Sequence, residues 1–278
     1  MGQKFSAVFF LTIFLTFFAT LPAISGELDR FAGLQGKIDI AGGTAHIPVM
    51  KDAAKSIMTS YPKINITVAG GGSRVGVQKV AEGLVDIGNA GRPVSSKELA
   101  KYPELLSFPF AVDGVTPIVN PANTVSNLTS AQIQDIFSGK ISNWKDLGGD
   151  DTEIHIYSRD EASGTRSVFW KKCLKKGAII ESANIVPSNG AMKGAVSHDR
   201  YALGYMSIGH LDQTVKAVNL DGVAPTQENA VDGDYPVVRK LFMNTKGTPE
   251  PLVKAFIDYV LGAEAAASIS SHGYIPLN

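Results

Sequence analysis

Apolar and polar positions along the chain follow two alternating periods, which predict strands followed by helices. Residues 37–40 alternate like a strand, a glycine turn precedes Thr44, and apolar residues recur at helical spacing from Ile47 to Met58. The same order of strand, small-residue turn and helix returns at residues 65–84 and 154–174. This alternation predicts an α/β fold with mostly parallel sheets, in which ligands bind outside the carboxyl ends of the strands.

The second half of the pattern predicts how the chain is organised. A β-branched segment at residues 112–121 is suited to crossing between lobes. Residues 129–139 begin with Thr and Ser and end with Gly, which predicts a capped helix. Glycines, prolines and polar residues predict a long loop at residues 221–236, before a returning strand that begins at residues 235–238. The last helix is predicted at residues 251–267.

Residues 1–25 have the order of a secretory signal peptide. Lys4 supplies a positive charge, an apolar run follows at residues 5–18, and Ala23 and Ser25 favour cleavage before Gly26. The apolar run is shorter than the roughly 20 residues that span a bilayer, and no cysteine near its end accepts a lipid. We therefore expect an exported protein without direct membrane insertion.

The charge balance and the scarce cysteine exclude several classes of function. The chain carries 26 basic and 26 acidic side chains, which gives no reason to expect nucleic acid as a partner. Its five histidines are scattered without the spacing of metal ligands, so we expect no metal site, although His46 lies near the first turn and could rim a site. The single cysteine, Cys173, lies in an amphipathic pattern and is expected to be an inert, buried thiol.

Three turns place a hydroxyl side chain beside small residues at the start of a predicted helix. They hold Thr44 after two glycines, Ser73 after three glycines, and the run Ser163, Gly164 and Thr165. Helix amino termini present unpaired N–H groups and a partial positive charge, and glycine lets the backbone approach a ligand closely. Converging at one sheet edge, the turns would form a cage of donors suited to a tetrahedral oxyanion.

Each turn also has a purely structural interpretation. Ser or Thr at a helix start is most often an N-cap, worth about 1 kcal/mol, and a glycine turn is commonly only a turn. Capping needs neither three consecutive glycines nor Arg159, which precedes Ser163 by four residues at the end of a predicted strand. Arg159 is therefore expected to bind an oxyanion in bidentate fashion.

These motifs, taken together, resemble the binding loops of the phosphate-binding subunits of bacterial phosphate ABC transporters. The similarity runs in order over nearly the whole mature chain. The matching segments are residues 42–44, 69–73, 86–92, 128–129, 136–144, 159–166, 202–205 and 273–277.

The resemblance implies a two-lobed periplasmic-binding-protein fold of type II, with each lobe a mostly parallel sheet flanked by helices and two crossing hinge strands. One lobe would comprise residues 26–114 and 237–278, and the other residues 115–236. A monomer in the periplasm would capture inorganic phosphate between the lobes and dock on a membrane permease, with no cofactor and no chemistry on the ligand. The phosphate-binding residues implied are Thr44, Ala45, Ser73, Arg92, Arg159, Ser163, Gly164 and Thr165.

Gly91 departs from the family pattern. Many members have an aspartate there, which accepts a hydrogen bond from protonated phosphate and thereby rejects sulfate. Asp160 and Glu161 are alternative acceptors, although pairing with Arg159 is the plainer role for either. The sequence therefore predicts oxyanion binding more firmly than it predicts discrimination between phosphate and sulfate or arsenate.

Two alternatives remain open from the sequence. The first is a binder of another oxyanion, such as sulfate, molybdate or arsenate, or a sensory phosphate binder. The second is a secreted phosphoester hydrolase with Ser163 as its nucleophile. Ser163 has no nucleophile-elbow sequence around it and no histidine tied to it by spacing, which disfavours the hydrolase.

Overall fold

A computed structural model describes Gly2 and residues 26–277 of the chain, so the predicted signal peptide lies, apart from Gly2, outside the described residues. Within residues 26–277, no helix combines the length and the apolar character that a bilayer crossing requires. The strands are β1 (Gly36–Gly42), β2 (Ile64–Gly71), β3 (Ile87–Ala90), β4 (Leu105–Val119), β5 (Asn127–Leu128), β6 (His155–Arg159), β7 (Asn184–Val186), β8 (Ala202–Ser207), β9 (Lys216–Ala217), β10 (Asn219–Leu220), β11 (Val238–Lys246) and β12 (Ile275–Pro276). The α-helices are α1 (Ile47–Ser60), α2 (Ser73–Ala81), α3 (Ser96–Lys101), α4 (Ser130–Phe137), α5 (Gly164–Lys172), α6 (Asn189–His198), α7 (Gln227–Asp232), α8 (Pro251–Val260) and α9 (Ala263–Ser271).

The strands form one long path in the order β2-β1-β3-β11-β4-β8-β6-β7. The outer pairs are parallel: β1 pairs with β2 and β3, and β6 pairs with β7 and β8. In the middle, β4 and β11 pair antiparallel with each other and with their outer neighbours. The predicted α/β class is confirmed, with parallel units at both ends of the path and antiparallel strands joining them.

The hydrophobic residues form two large cores, one at each end of β4. The first core includes Phe31, Phe110 and Phe256, and the second includes Trp144 and Phe169. Strand β4 contributes to both, because residues 110 and 111 pack in the first core and residues 115 and 119 in the second. Strand β11 and the residues before it do the same, since residues 235 and 237 pack in the second core and residue 241 in the first. Two neighbouring strands therefore connect the two cores.

Two predicted boundaries were wrong. The expected loop at residues 221–236 contains helix α7, whose start is capped by the Thr226 hydroxyl accepting from the Asn229 N–H. The expected helix at residues 251–267 is broken at Gly262 into α8 and α9. The carboxylate of Glu27 accepts the Ala263 N–H at 2.6 Å, and a Cβ on Gly262 would lie 2.1 Å from the same carboxylate. A residue at the other end of the chain therefore sets this helix boundary.

Cys173 is buried in the second core, as expected for a structural thiol. Burial raises the pKa of its thiol to about 12. The thiolate, which is the reactive form, is therefore scarce near neutrality.

The aromatic centre of the second core gives a test of this packing. Phe169 stacks on Tyr205 with ring centroids 4.1 Å apart and meets Phe137 edge-on at 5.4 Å. We expect Phe169→Ala to lower the free energy of unfolding by about 3–5 kcal/mol, because it removes buried area and leaves a cavity. Urea denaturation followed by circular dichroism measures this change. Leu84, which is 64% exposed, provides the control: Leu84→Ala should change the same quantity by less than about 0.5 kcal/mol. Equal effects of the two substitutions would contradict the second core.

Candidate anion-binding site

A small cavity lies where three strand-to-helix turns meet. Seven of the eight predicted binding residues line it: Thr44, Ala45, Ser73, Arg159, Ser163, Gly164 and Thr165. The empty space between the lining atoms, including the part open to solvent, is at most about 180 Å³, which is below the roughly 300–1,000 Å³ of pockets for drug-sized ligands. The space is therefore too small for a sugar or a peptide.

The first turn joins β1 to α1 through a 3-10 turn at Thr44–His46. Gly42 has a φ of +127°, and a Cβ there would lie 2.3 Å from the Asn89 carbonyl oxygen, so only glycine fits. The Thr44 hydroxyl does not cap the 3-10 turn that it begins. It accepts hydrogen bonds from the backbone N–H of Asn189 at 3.3 Å and from its side-chain amide at 3.1 Å. Since these bonds use the lone pairs of Thr44, its own O–H remains a donor.

The second turn joins β2 to α2 through three glycines. Gly72 has a φ of +88°, and a Cβ there would lie 2.6 Å from the Ala162 carbonyl oxygen of the third turn. Ser73 is the first residue of α2 and is not its cap; its hydroxyl accepts the Gly91 N–H at 2.9 Å. The glycines therefore let the second and third turns approach to backbone contact.

The third turn joins β6 to α5 and brings Arg159 beside Ser163. Here the structural interpretation holds in part, because Ser163 is the N-cap and its hydroxyl accepts the Arg166 N–H at 3.1 Å. The N–H groups of Gly164 and Thr165, in the first turn of α5, have no intrahelical acceptor. A Cβ on Gly164 would lie 2.0 Å from the Ser73 hydroxyl oxygen. The starts of α2 and α5 therefore face each other across the cavity with their partial positive charges.

Arg159 carries the main charge of the cavity. Arg159 is the last residue of β6, and it is buried, with only 1% of its surface exposed. One guanidinium nitrogen, Nη2, donates to the Pro187 carbonyl at 2.9 Å, while the buried Nε and Nη1 make no hydrogen bond within the described residues. Burial lowers the pKa of Arg159, yet a guanidinium keeps its charge in proteins. A buried charge without a partner costs several kcal/mol, so this arrangement calls for an anion.

The two acidic neighbours of Arg159 do not pair with it. The Asp160 carboxylate accepts the Ala162 N–H at 2.8 Å, which stabilises the turn. The Glu161 carboxylate lies 3.7 Å from the guanidinium of Arg74 in a surface pair. The expectation that Asp160 or Glu161 pairs with Arg159 is therefore wrong. Asp160 binds the backbone of its own turn, and Glu161 pairs with Arg74.

Arg92, the eighth predicted residue, is not brought into the cavity. Its guanidinium donates to both oxygens of the Glu98 carboxylate, at 2.8 and 2.7 Å. Partial burial opposes ionisation of Glu98, but hydrogen bonds from Arg92 and Ser95 lower the pKa of its carboxyl to about 2. Ser95 and Glu98 form the capping box of α3. The Glu98 carboxylate, six residues after Arg92, thus holds the guanidinium near the start of α3.

A second arginine, which none of the sequence motifs indicated, also lines the cavity. Arg239 lies in β11, lines the cavity, and forms a buried ion pair with Asp113 of β4, with Nη2 2.7 Å from Oδ2. The sequence does contain a sign of its burial. Side chains alternate between the two faces of a strand, and Arg239 shares its face with the buried residues 237 and 241.

His46 also lines the cavity and is fully buried. Burial and the charge of Arg239 lower the pKa of its imidazole to about 3, so His46 is neutral. Its ring packs 5.5 Å from that of Phe110 in the first core. Across residues 26–277, no group of three or more His, Cys, Asp or Glu residues is arranged to hold a metal ion.

Comparisons with known proteins agree with this geometry. Residues 32–264 match the sequence profile of the PBP superfamily domain. The phosphate-binding protein PstS of Bacillus subtilis is 35% identical over 244 residues, covering 87% of this chain and 81% of that protein. A candidate phosphate ABC transporter substrate-binding protein from Clostridium perfringens, solved with bound phosphate, superposes with a TM-score of 0.82 at 33% identity, covering 87% of this chain and 100% of that one. An ABC-type phosphate transport receptor from Vibrio cholerae superposes with a TM-score of 0.69 at 32% identity, covering 86% of this chain and 99% of that one.

The contact between Ser73 and Gly91 can be tested without any ligand. We expect Ser73→Ala to lower the free energy of unfolding by about 1–3 kcal/mol, because the buried Gly91 N–H loses its acceptor. The exposed Ser271 donates only to a carbonyl of its own helix, so Ser271→Ala should have an effect under about 0.5 kcal/mol. Thermal and urea unfolding measure both variants, and equal stabilities would argue against the buried contact.

Proposed function

Because this chain belongs to the PBP superfamily and to the family of PstS phosphate-binding proteins, we propose that it captures inorganic phosphate for delivery to an ABC transporter. The observation that carries the proposal is the Arg159 guanidinium, which lines a small buried cavity and has two nitrogens without a hydrogen-bond partner among residues 26–277. The relatives named above as phosphate-binding or phosphate-transport proteins support the choice of phosphate.

In this proposal, the ligand oxygens bind to donors from all three turns. The first turn contributes the Thr44 hydroxyl and the Ala45 backbone, and the second contributes Ser73. Arg159 provides a charge-assisted contact, which is about twice as strong as a neutral hydrogen bond. Ser163, Gly164 and Thr165 complete the cage from the start of α5. Arg92 has no part in the proposed site, because Glu98 holds its guanidinium elsewhere.

Phosphate would be enclosed by closure of two lobes. We assign residues 26–114 and 237–278 to one lobe and residues 115–236 to the other, with β4 and β11 as the hinge strands. Several contacts join the proposed lobes beside the cavity. Asn189 donates to the Thr44 hydroxyl, and His210 Nε2 lies 3.1 Å from the Thr44 carbonyl oxygen. The Arg74 N–H donates to the Ala162 carbonyl at 3.1 Å. A ligand that contacts both lobes favours the closed state, so binding shifts an open-closed equilibrium.

The proposal extends to location and partners. Export by the predicted signal peptide would place the chain in the periplasm as a monomer, without insertion into the membrane. Its closed form would dock on the membrane permease of a phosphate transporter.

Binding without chemistry fits the surroundings of Ser163 better than hydrolysis does. Its hydroxyl accepts the Arg166 N–H, and no hydrogen bond joins it to a histidine within residues 26–277. A nucleophilic serine needs such a base within hydrogen-bond reach.

The two arginines predicted from the sequence provide a matched test. We expect Arg159→Ala to weaken phosphate binding by more than about 2 kcal/mol, or about 30-fold, because a buried charge-assisted contact is lost. Arg92→Ala removes the same charge outside the cavity and should change the affinity by less than about threefold. Isothermal titration calorimetry with phosphate measures both. An unchanged affinity in Arg159→Ala would remove this residue from the proposed site.

Closure has a separate test in solution. We expect the radius of gyration from X-ray scattering to decrease when phosphate is added to the wild-type protein. Asn189→Ala removes the side-chain hydrogen bond to the Thr44 hydroxyl and keeps the backbone one, so phosphate affinity should fall roughly fivefold, while saturating phosphate still produces the contraction. Asn184 binds only the Ile156 carbonyl of the neighbouring strand, so Asn184→Ala is the control and should bind normally. A wild-type protein that does not contract with phosphate would contradict closure.

A further inference from the structure

The guanidinium of Arg239 forms the wall of the cavity beside Gly91. A Cβ added to Gly91 would lie 2.6 Å from Nη1 of Arg239 and 3.1 Å from its Cζ. The Arg239 side chain is only 3% exposed, so it has little freedom to move aside. Glycine at position 91 therefore makes room for the Arg239 guanidinium, which is a hydrogen-bond donor.

Asp113 holds this guanidinium in place from behind. The two residues are direct partners across the antiparallel strands β4 and β11. Arg239 Nε donates to Asp113 Oδ2 at 2.8 Å, and the Ser207 hydroxyl donates to Oδ1 at 2.8 Å. Nη2 lies 2.7 Å from Oδ2 but makes no hydrogen bond of good geometry. The ion pair thus fixes the orientation of Arg239 and leaves donor capacity on its outer nitrogens.

Among the described residues that line the cavity, two are arginines and none is acidic. Asp113 lies behind the wall with its oxygens bonded to Arg239 and Ser207. The acceptors on the wall are uncharged: hydroxyl groups, carbonyl groups and the neutral His46 ring. The starts of α2 and α5 add partial positive charge. Such a wall stabilises negative charge on the ligand and contains no carboxylate to repel it.

We propose that Arg239 is a specificity-determining residue that makes this site select doubly charged tetrahedral oxyanions by charge and shape, without requiring a proton on the ligand. The inference rests on the proposed function, whose cavity and Arg159 it shares. Sulfate is doubly charged and carries no proton near neutrality, so the site accepts it alongside phosphate. Perchlorate has the same shape and a single charge, so the site binds it weakly.

Calorimetry of the purified full-length protein tests this, with phosphate, sulfate and perchlorate at one pH near neutrality. We expect phosphate and sulfate affinities within about tenfold of each other, and perchlorate at least about 30-fold weaker than sulfate. The double variant Asp113→Asn/Arg239→Gln removes both charges, so no buried charge is left without its partner. In this variant the sulfate affinity should fall about 10- to 100-fold. The ratio of sulfate affinity to perchlorate affinity should also decrease.

Two variants separate the role of Arg239 from general effects of charge. Arg239→Lys keeps the positive charge and should keep most of the sulfate-to-perchlorate ratio. Lys240→Gln removes the neighbouring cation, which lines an adjacent cleft and not the cavity, and should leave the ratio unchanged. Circular dichroism confirms that each variant is folded.

The outcomes distinguish this inference from the function on which it rests. Phosphate binding with sulfate more than about tenfold weaker would overturn the inference and leave the proposed function intact. An unchanged ratio in a folded double variant would also overturn it. A folded wild-type protein that binds none of the three anions would contradict the proposed function itself.

Discussion

A positive charge that is buried without a carboxylate partner is the constraint on which the rest of this structure depends. Arg159 ends a strand beside the small cavity, and only one of its guanidinium nitrogens has a carbonyl acceptor among the contacts described above. Folding such a charge into a dry site is costly unless a bound anion compensates it. The turns, the glycines and the contact of Asn189 with Thr44 all bring further donors toward the same point. In the proposed function, affinity and closure thus have one physical origin.

The second arginine connects that site to the strands between the two cores. Arg239 and Asp113 face each other on β11 and β4, the strands that pass from one core to the other. Their ion pair is therefore both a structural contact of the crossing strands and part of the cavity wall. Any movement of the cores about these strands changes the surroundings of Arg239. In the proposed closure, this pair would couple anion binding to the relative position of the cores.

The main lines of the fold and most of the site were predictable, because they depend on local sequence. The hydrophobic periods gave the strand-to-helix units, and glycines beside hydroxyl residues gave the three turns that line the cavity. The missed features depend on distant partners. The Glu27 carboxylate accepts the first N–H groups of α9, and this contact separates α9 from α8. Glu98 binds Arg92, a competition that no motif at residues 86–92 reveals.

The sequence by itself determined where donors would cluster, because helix starts, glycine turns and strand ends are properties of short segments. It also determined the near-neutral charge, which leaves anion binding to local groups. Only the tertiary structure decided which arginine meets the cavity and which is neutralised. A guanidinium is free or paired according to the carboxylates that folding brings near it. For Arg239 that partner, Asp113, lies on a strand distant in sequence, and for Arg159 no carboxylate forms an ion pair among residues 26–277.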